Sequence, residues 1–327
     1  MNISVAVRYR PFSHVPGASC LLPRTCWAIE AYPTLLRLSS RETGQSLEIP
    51  LNITGPVREF TLQQDLEKGA VFVWGVAQEG RFRLRLQYEE PGMLHLYPEH
   101  APEGMLTQFS WEIPGSCCEP PAPLERISFG SHKSQDWDQV KRRGDLLEIL
   151  PVLFALSQWT PAVKSAPTAM SRLLESGFEA FFPAGFSGIL NPRLIDEQFQ
   201  GLVAEEKIPE EASPCSLIVE AGKKIRSLLL RQTGKRVILP APKQFCGRML
   251  HAHLEGIGLL DFEWTKGLVK RAILRACQDA ALLFELPEAI RTFRLRTSLH
   301  EKGCKMDAAA EWKVEKDCVY FLDRFEK

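Results

Sequence analysis

The chain has 327 residues, 45% of them hydrophobic and 24% charged, and its 40 basic and 40 acidic side chains cancel to a formal net charge of zero. That length suits two or three domains of ordinary soluble composition. Electroneutrality leaves no whole-molecule field to draw in nucleic acid or acidic lipid, so neither is an expected partner.

Met1 to Phe12 lack the apolar core of a secretion signal. The apolar run from Leu146 to Leu156 contains Glu148 and Pro151 and falls short of the ~18–20 residues a membrane span needs. The nine cysteines include no C-x-x-C, which disfavours zinc ribbons and dithiol redox motifs. A cytoplasmic protein with reduced, mostly buried thiols is the expectation.

Residues 1 to about 114 read as all-β. Apolar and polar residues alternate over short runs such as Ile3 to Tyr9, and turn clusters such as His14-Val15-Pro16-Gly17, Glu42-Thr43-Gly44 and Thr54-Gly55-Pro56 separate them. In Ala70 to Gln87, Val71, Val73, Phe82, Leu84 and Leu86 keep a period of two around a Gln78-Glu79-Gly80 turn, which predicts a hairpin. Strands at this spacing predict an antiparallel sandwich. Pro120-Pro121-Ala122-Pro123 marks a linker.

Helical spacing follows. Trp137, Val140, Leu147, Leu150 and Phe154 share one face, with Pro151 expected to kink or end that helix. Met170, Leu173, Leu174, Phe178 and Phe181 form a second stripe. Lys141-Arg142-Arg143 and Lys223-Lys224 read as solvated helix faces, not as a nucleic-acid stripe. Ser213 and Pro214 suit an N-cap and a first turn. Ile218, Ala221, Ile225, Leu228 and Leu229 make an apolar face, and Gly234 suits a left-handed stop. Beyond it, Leu260, Phe262 and Trp264 alternate with Asp261 and Glu263 as a half-buried strand with solvent-facing acids. Leu282–Leu286, Thr292–Thr297, Ala310–Val314 and Val319–Leu322 read as further strands.

The order of helix, Ile238-Leu239-Pro240-Ala241 turn and strand resembles the C-terminal part of glycoside hydrolases of families 95 and 65. There the last helix of an α/α barrel runs through a Leu-Leu-Pro-Ala-Leu-Pro turn into a β-sandwich tail. The matching residues are Leu228-Leu229, Gly234, Ile238 to Ala241, Gly247, Gly256, Gly258, Phe262, Trp264, Gly267-Leu268, Ala272 and Ile273, and the second Leu of the turn is missing. The likeness spans residues 218–275 and carries no catalytic motif. A complete barrel of twelve helices needs on the order of 200 residues. Residues 131–234 are about half that, so the resemblance implies a barrel largely absent, and no catalytic residue transfers.

Several patterns are candidate sites. Asp261 and Glu263 lie two apart on one strand, about 6.5–7 Å between Cβ atoms, near the ~6.5–9.5 Å carboxylate spacing of inverting glycosidases. Gly130 to Asp138 packs His132, Asp136 and Trp137 ahead of a helix. A Trp face stacks on sugar rings while acids accept hydroxyl hydrogens, but the same residues make an ordinary capped helix start. Arg193 and Asp196, beside Asn191-Pro192 and Phe199, could orient a ligand or form a structural ion pair. His251-x-His253, with Glu255 beyond, is a metal half-site lacking a third histidine at ligand spacing, so no metal and no cofactor are expected. There is no G-x-S-x-G, P-loop or G-x-G-x-x-G.

The expected fold is α+β, with an N-terminal antiparallel β-sandwich at 1–125, a short helical middle at 126–234 and a β-sandwich-like tail at 235–327. The expected function is that of a reduced, non-hydrolytic relative of glycoside hydrolases that binds carbohydrate, or a protein at its helical segment. An active carbohydrate-processing enzyme with a rebuilt site and a scaffolding protein are the alternatives.

Overall fold

The computed structural model describes residues 2–6, 8–89, 92–105, 108–130, 150–163, 213–243 and 246–326. The protein is predominantly β, with two helices among the described residues, as the α+β reading expects. It divides into two compact units. One comprises Arg8–Pro120 and Ala155–Gly222, the other Met1–Val7, Pro121–Phe154 and Lys223–Lys327.

The first unit is an antiparallel sandwich. Its strands are β1 (Phe12–Ser13), β2 (Ala18–Leu21), β3 (Trp27–Tyr32), β4 (Leu35–Ser40), β5 (Ser46–Pro50), β6 (Arg58–Asp65), β7 (Ala70–Val76), β8 (Arg81–Glu89), β9 (Met93–His100) and β10 (Phe109–Glu112). They form the sheets β2-β3-β4-β5 and β1-β6-β7-β8-β9-β10. Alternation turns Ile29, Leu36 and Leu38 from one sheet, and Leu62, Val73, Leu84, Leu86 and Leu96 from the other, into one core. Each such side chain contributes about 1.5–3 kcal/mol by leaving water. The predicted hairpin is present, with Ala70 opposite Gln87 and Val76 opposite Arg81. Ala77 N donates to Gly80 O at 2.9 Å to close its loop.

Among the described residues, 3–6 and 8–9 do not form the expected strand. Pro11 has no N–H to give, so the ladder with β6 stops at Phe12, although Gln64 N and Leu66 N still donate to Pro11 O and Tyr9 O at 2.9 and 3.0 Å. The burial of Ile3 arises from packing against Leu250 and Ile273 in the other unit's segments, to which Met1–Val7 belongs.

The helices are α1 (Leu150–Gln158) and α2 (Pro214–Leu229). Helix α1 runs on from Pro151 to Gln158, so the proline does not end it. Helix α2 begins at the predicted Pro214 and buries Ile218, Ala221, Ile225 and Leu229. Leu228 is a correction, because it lies off that stripe and is 37% exposed. Within the sandwich unit, Gly222 lets α2 approach α1 closely, since a Cβ there would lie 1.9 Å from Ser157 Oγ. No helix among the described residues is long and apolar enough to cross a membrane.

The second unit contains β11 (Arg126–Phe129), β12 (Arg231–Thr233), β13 (Arg236–Ile238), β14 (Gly247–Leu254), β15 (Gly258–Thr265), β16 (Leu268–Ala276), β17 (Ala280–Glu285), β18 (Thr292–Arg296), β19 (Cys304–Asp307), β20 (Trp312–Val314) and β21 (Val319–Glu326). They build the sheets β11-β14-β15-β16-β21-β18-β19 and β12-β13-β17-β20. Strands β13 and β17 run parallel. Ring contacts of Phe284 with Phe293 and of Trp312 with Tyr320 join the two sheets. Gly234 is not a helix stop. It occupies the β12–β13 turn at φ 57°, the positive φ that a two-residue hairpin loop needs. All nine cysteines are free thiols, but only Cys20, Cys26 and Cys215 are buried, while Cys117, Cys277 and Cys304 are exposed. The expectation of mostly buried thiols is therefore corrected.

Strands β18 and β21 are joined by Asp323, which takes two hydrogen bonds from Arg294, at 2.7 and 2.9 Å, and pairs with Arg296. The Arg294 hydrogen bonds, with the charge of both arginines, outweigh burial and hold the Asp323 carboxyl below its ordinary value. A lowered native pKa gives stability that is complete above the unfolded value of about 3.9 and is lost as pH falls through the native one. Asp323→Asn should therefore flatten the acid limb of a melting-temperature profile measured from about pH 5 down to pH 2. An unchanged acid limb would show that this cluster does not contribute.

Candidate functional site

Strand β8 reads Arg-Phe-Arg-Leu-Arg-Leu-Gln. Its period of two sends Phe82, Leu84 and Leu86 into the core and Arg81, Arg83, Arg85 and Gln87 to the outer face of the six-stranded sheet. The ladder sets these beside outward rings: Trp74 opposite Arg83, Phe72 and Tyr97 on either side of Arg85, and His95 opposite Gln87. The Arg83 guanidinium lies 4.8 Å from the Phe72 ring centre and 5.3 Å from that of Trp74. Arg85 lies 4.6 Å from Tyr97, and His95 stacks on Tyr97 at 5.6 Å and 16°.

Hydrogen bonds and ion pairs fix this face. Tyr97 Oη donates to Glu89 at 2.9 Å, Arg83 pairs with Glu99 at 2.9 Å, and Arg85 donates to Gln87 at 3.2 Å. Burial and then the Glu89 bond push the Tyr97 phenol upward, so it remains a neutral donor. Trp74, His95 and Tyr97 are half-buried, and Arg81, Arg83 and Glu99 are exposed. The result is a strip of ordered rings edged by forked donors and carboxylate acceptors. Such a strip can stack on an apolar ring face and hydrogen-bond the hydroxyls around it.

Asp261 and Glu263 lie on β15 as expected, but Asp261 does not face solvent. It is 2% exposed. Its Oδ1 accepts His251 N and its Oδ2 accepts Arg275 Nη1, both at 2.8 Å. Glu263 takes two bonds from Arg271, at 2.6 and 2.8 Å, and pairs with Arg248 at 3.5 Å. Burial pushes Glu263 upward, but Arg271 and then Arg248 outweigh it and hold the carboxyl below its ordinary range. A general acid requires the opposite shift.

Asp261 is buried because β14 bulges between Met249 and Ala252, with His251 at φ 56°. The amides freed from the ladder need acceptors. Asp261 takes that of His251, and buried Glu125 takes that of His253 at 2.7 Å. Arg226 grips Glu125 through Nε at 2.9 Å and Nη2 at 3.0 Å, and donates to His253 O at 2.7 Å. The imidazoles of the H-x-H pattern meet linker carbonyls, His251 Nδ1 at Leu124 O (3.3 Å) and His253 Nε2 at Pro123 O (2.8 Å). No group of three or more metal-ligating side chains is found among the described residues.

His132, Asp136, Trp137, Arg193 and Asp196 lie outside the described residues. A groove of about 400 Å³ in the C-terminal unit is lined by Gln232, Lys235, Glu255 and Ile257 together with glycines and alanines. Its Gln232 amide is occupied by Gly234 O, Glu255 O and Glu255 N at 2.7–2.9 Å. Sequence reasoning passed over the outer face of β7–β9, although the Arg81-Arg83-Arg85 alternation needed to find it was present. The rings were missing from that pattern, because strand pairing alone brings Trp74, Tyr97 and His95 beside the arginines.

Compared with known protein families and with curated proteins, the sequence matches none.

Proposed function

We propose that the protein is a non-hydrolytic carbohydrate-binding protein, a reduced relative of the family 95 and 65 glycoside hydrolases. On this reading its N-terminal sandwich contacts sugar through Trp74, His95 and Tyr97, with Arg83, Arg85 and Glu89 addressing hydroxyls. The observation that carries the proposal is the ring-and-guanidinium strip on one sheet face, with the rings half-exposed and already ordered. Side chains fixed before binding lose little entropy when a ligand arrives. Residues 218–275 support the kinship. The arginine-neutralised carboxylates of β15 favour binding over hydrolysis. The free thiols fit the reducing cytoplasm that this reading assigns to the protein.

The test is thermal unfolding of the full chain against a panel of mono- and oligosaccharides. A sugar at a hundred times its dissociation constant adds about 2.7 kcal/mol to the native state, a rise of several degrees for a domain-sized unit. A sugar-specific rise that disappears in Trp74→Ala supports the proposal. No rise with any sugar contradicts it.

A further inference from the structure

Three cysteines from separate stretches of the sandwich unit meet beside the β2–β3 connection. Thr25 forms a β-bridge with Cys117, and Cys118 N donates to Arg24 O at 3.0 Å, so residues 116–118 run antiparallel to 24–26. Neighbours in such a pair alternate faces. Thr25 and Cys117 share one face, Cys26 and Cys118 the other. Helix α2 brings Cys215, in its first turn, to that second face. There the Cys26 and Cys215 thiols hydrogen-bond each other, and Cys118 interacts with both. Cys26 and Cys215 are 1% and 0% exposed, Cys118 is half-buried and Cys117 is exposed. A sulfur pair in contact, with a half-buried third sulfur on the same face, is arranged for thiol–disulfide exchange.

We propose that Cys26 and Cys215 are an oxidisable pair served by Cys118, and that a small disulfide of the glutathione type converts them to an internal disulfide clamping the start of α2 to the sandwich. The Cys118 thiolate attacks one reagent sulfur, forming a mixed disulfide and expelling one reagent thiolate. Cys215 attacks Cys118 sulfur and expels the second. Cys26 then attacks Cys215 sulfur and returns Cys118 as a thiol. In total, two protein thiols lose two electrons and two protons, and one reagent disulfide becomes two reagent thiols.

The surroundings set the rate. Burial raises Cys118, and the Arg24 guanidinium opposes it only in part, leaving the thiol at about 11, with the charges of Cys117 and Cys215 also raising it. Contact with Cys215, burial and the nearby Glu42 carboxylate push Cys26 higher still, so it is unsuited to attack first. Below its pKa the reactive thiolate fraction of Cys118 grows about tenfold per pH unit.

The test uses the reduced full chain incubated with excess glutathione disulfide, quenched with an alkylating agent and mapped by peptide mass spectrometry. The expected product is a Cys26–Cys215 link that accumulates faster as pH rises, and that forms at least tenfold more slowly in Cys118→Ser. Recovery of Cys26 and Cys215 as alkylated thiols, while Cys117, Cys277 and Cys304 carry glutathione, would overturn the pair. Oxidation of the Cys118→Ser chain at the unaltered rate would overturn the role of Cys118.

Discussion

Glu125→Ala is expected to lower the unfolding free energy by about 3–5 kcal/mol, the usual cost of leaving one partner of a buried ion pair alone. Glu125 is 6% exposed and accepts from both nitrogens of the Arg226 fork and from His253 N. Alanine would leave the amide of a bulged strand without its acceptor, which by itself costs about 1–3 kcal/mol. The Arg226 side chain is 29% exposed and can regain some water, which places the effect at the lower end of the range. Glu125→Gln keeps one oxygen for His253 N while losing the charge and one acceptor of the Arg226 fork, so its loss should be smaller than that of alanine. Urea unfolding of both variants measures this. A loss under about 1 kcal/mol for alanine, the value of an exposed pair, would mean that the bulge does not depend on Glu125.

Gly258→Ala should cost more than about 4 kcal/mol, enough to prevent folding in a protein of ordinary stability. Gly258 has φ 152°, and a Cβ there would lie 2.0 Å from Arg275 O, 2.9 Å from Cys277 N and 3.0 Å from Ala276 Cα. All three atoms are backbone in or beside the paired strand, so no side chain can turn aside. Gly256, two residues earlier, has φ 68° and only Gln278 Nε2 within reach, at 3.3 Å, a side-chain atom that donates to Gly256 O. Gly256→Ala should cost roughly 1–2 kcal/mol of left-handed strain. Soluble yield and melting temperature separate the two. Equal tolerance would show that β15 and β16 can part without penalty.

Where burial and local pattern coincide, the fold was legible in the sequence. Val71, Val73, Phe82, Leu84 and Leu86 marked the hairpin because one face of it is core. Ser213-Pro214 marked the start of α2, and four tail strands were visible as apolar runs. Features made by pairing were not legible. Strand β19, Cys-Lys-Met-Asp, is too short and too exposed to give an apolar signal and exists because its backbone completes the edge of β18. Gly234 suits a helix stop and a hairpin turn equally, and the β12–β13 register decides for the turn. Asp261 alternates with apolar neighbours like a surface acid. It is buried because an amide freed by the bulge at His251, 10 positions earlier, needs an acceptor. The outer strip of the sandwich unit was hidden for the same reason, since Trp74, Arg83, Arg85 and Tyr97 come from three strands.

The most direct test of carbohydrate binding is calorimetric titration of a saccharide panel into the native chain and into Trp74→Ala and Tyr97→Ala. Saturable heat with one sugar class is expected, weakened roughly thirtyfold in each variant, as when an aromatic contact of about 2 kcal/mol is removed. Both variants should keep the native melting temperature to within a few degrees. Absence of heat with every sugar, or an affinity unchanged in both variants, would contradict a sugar-binding role for this face.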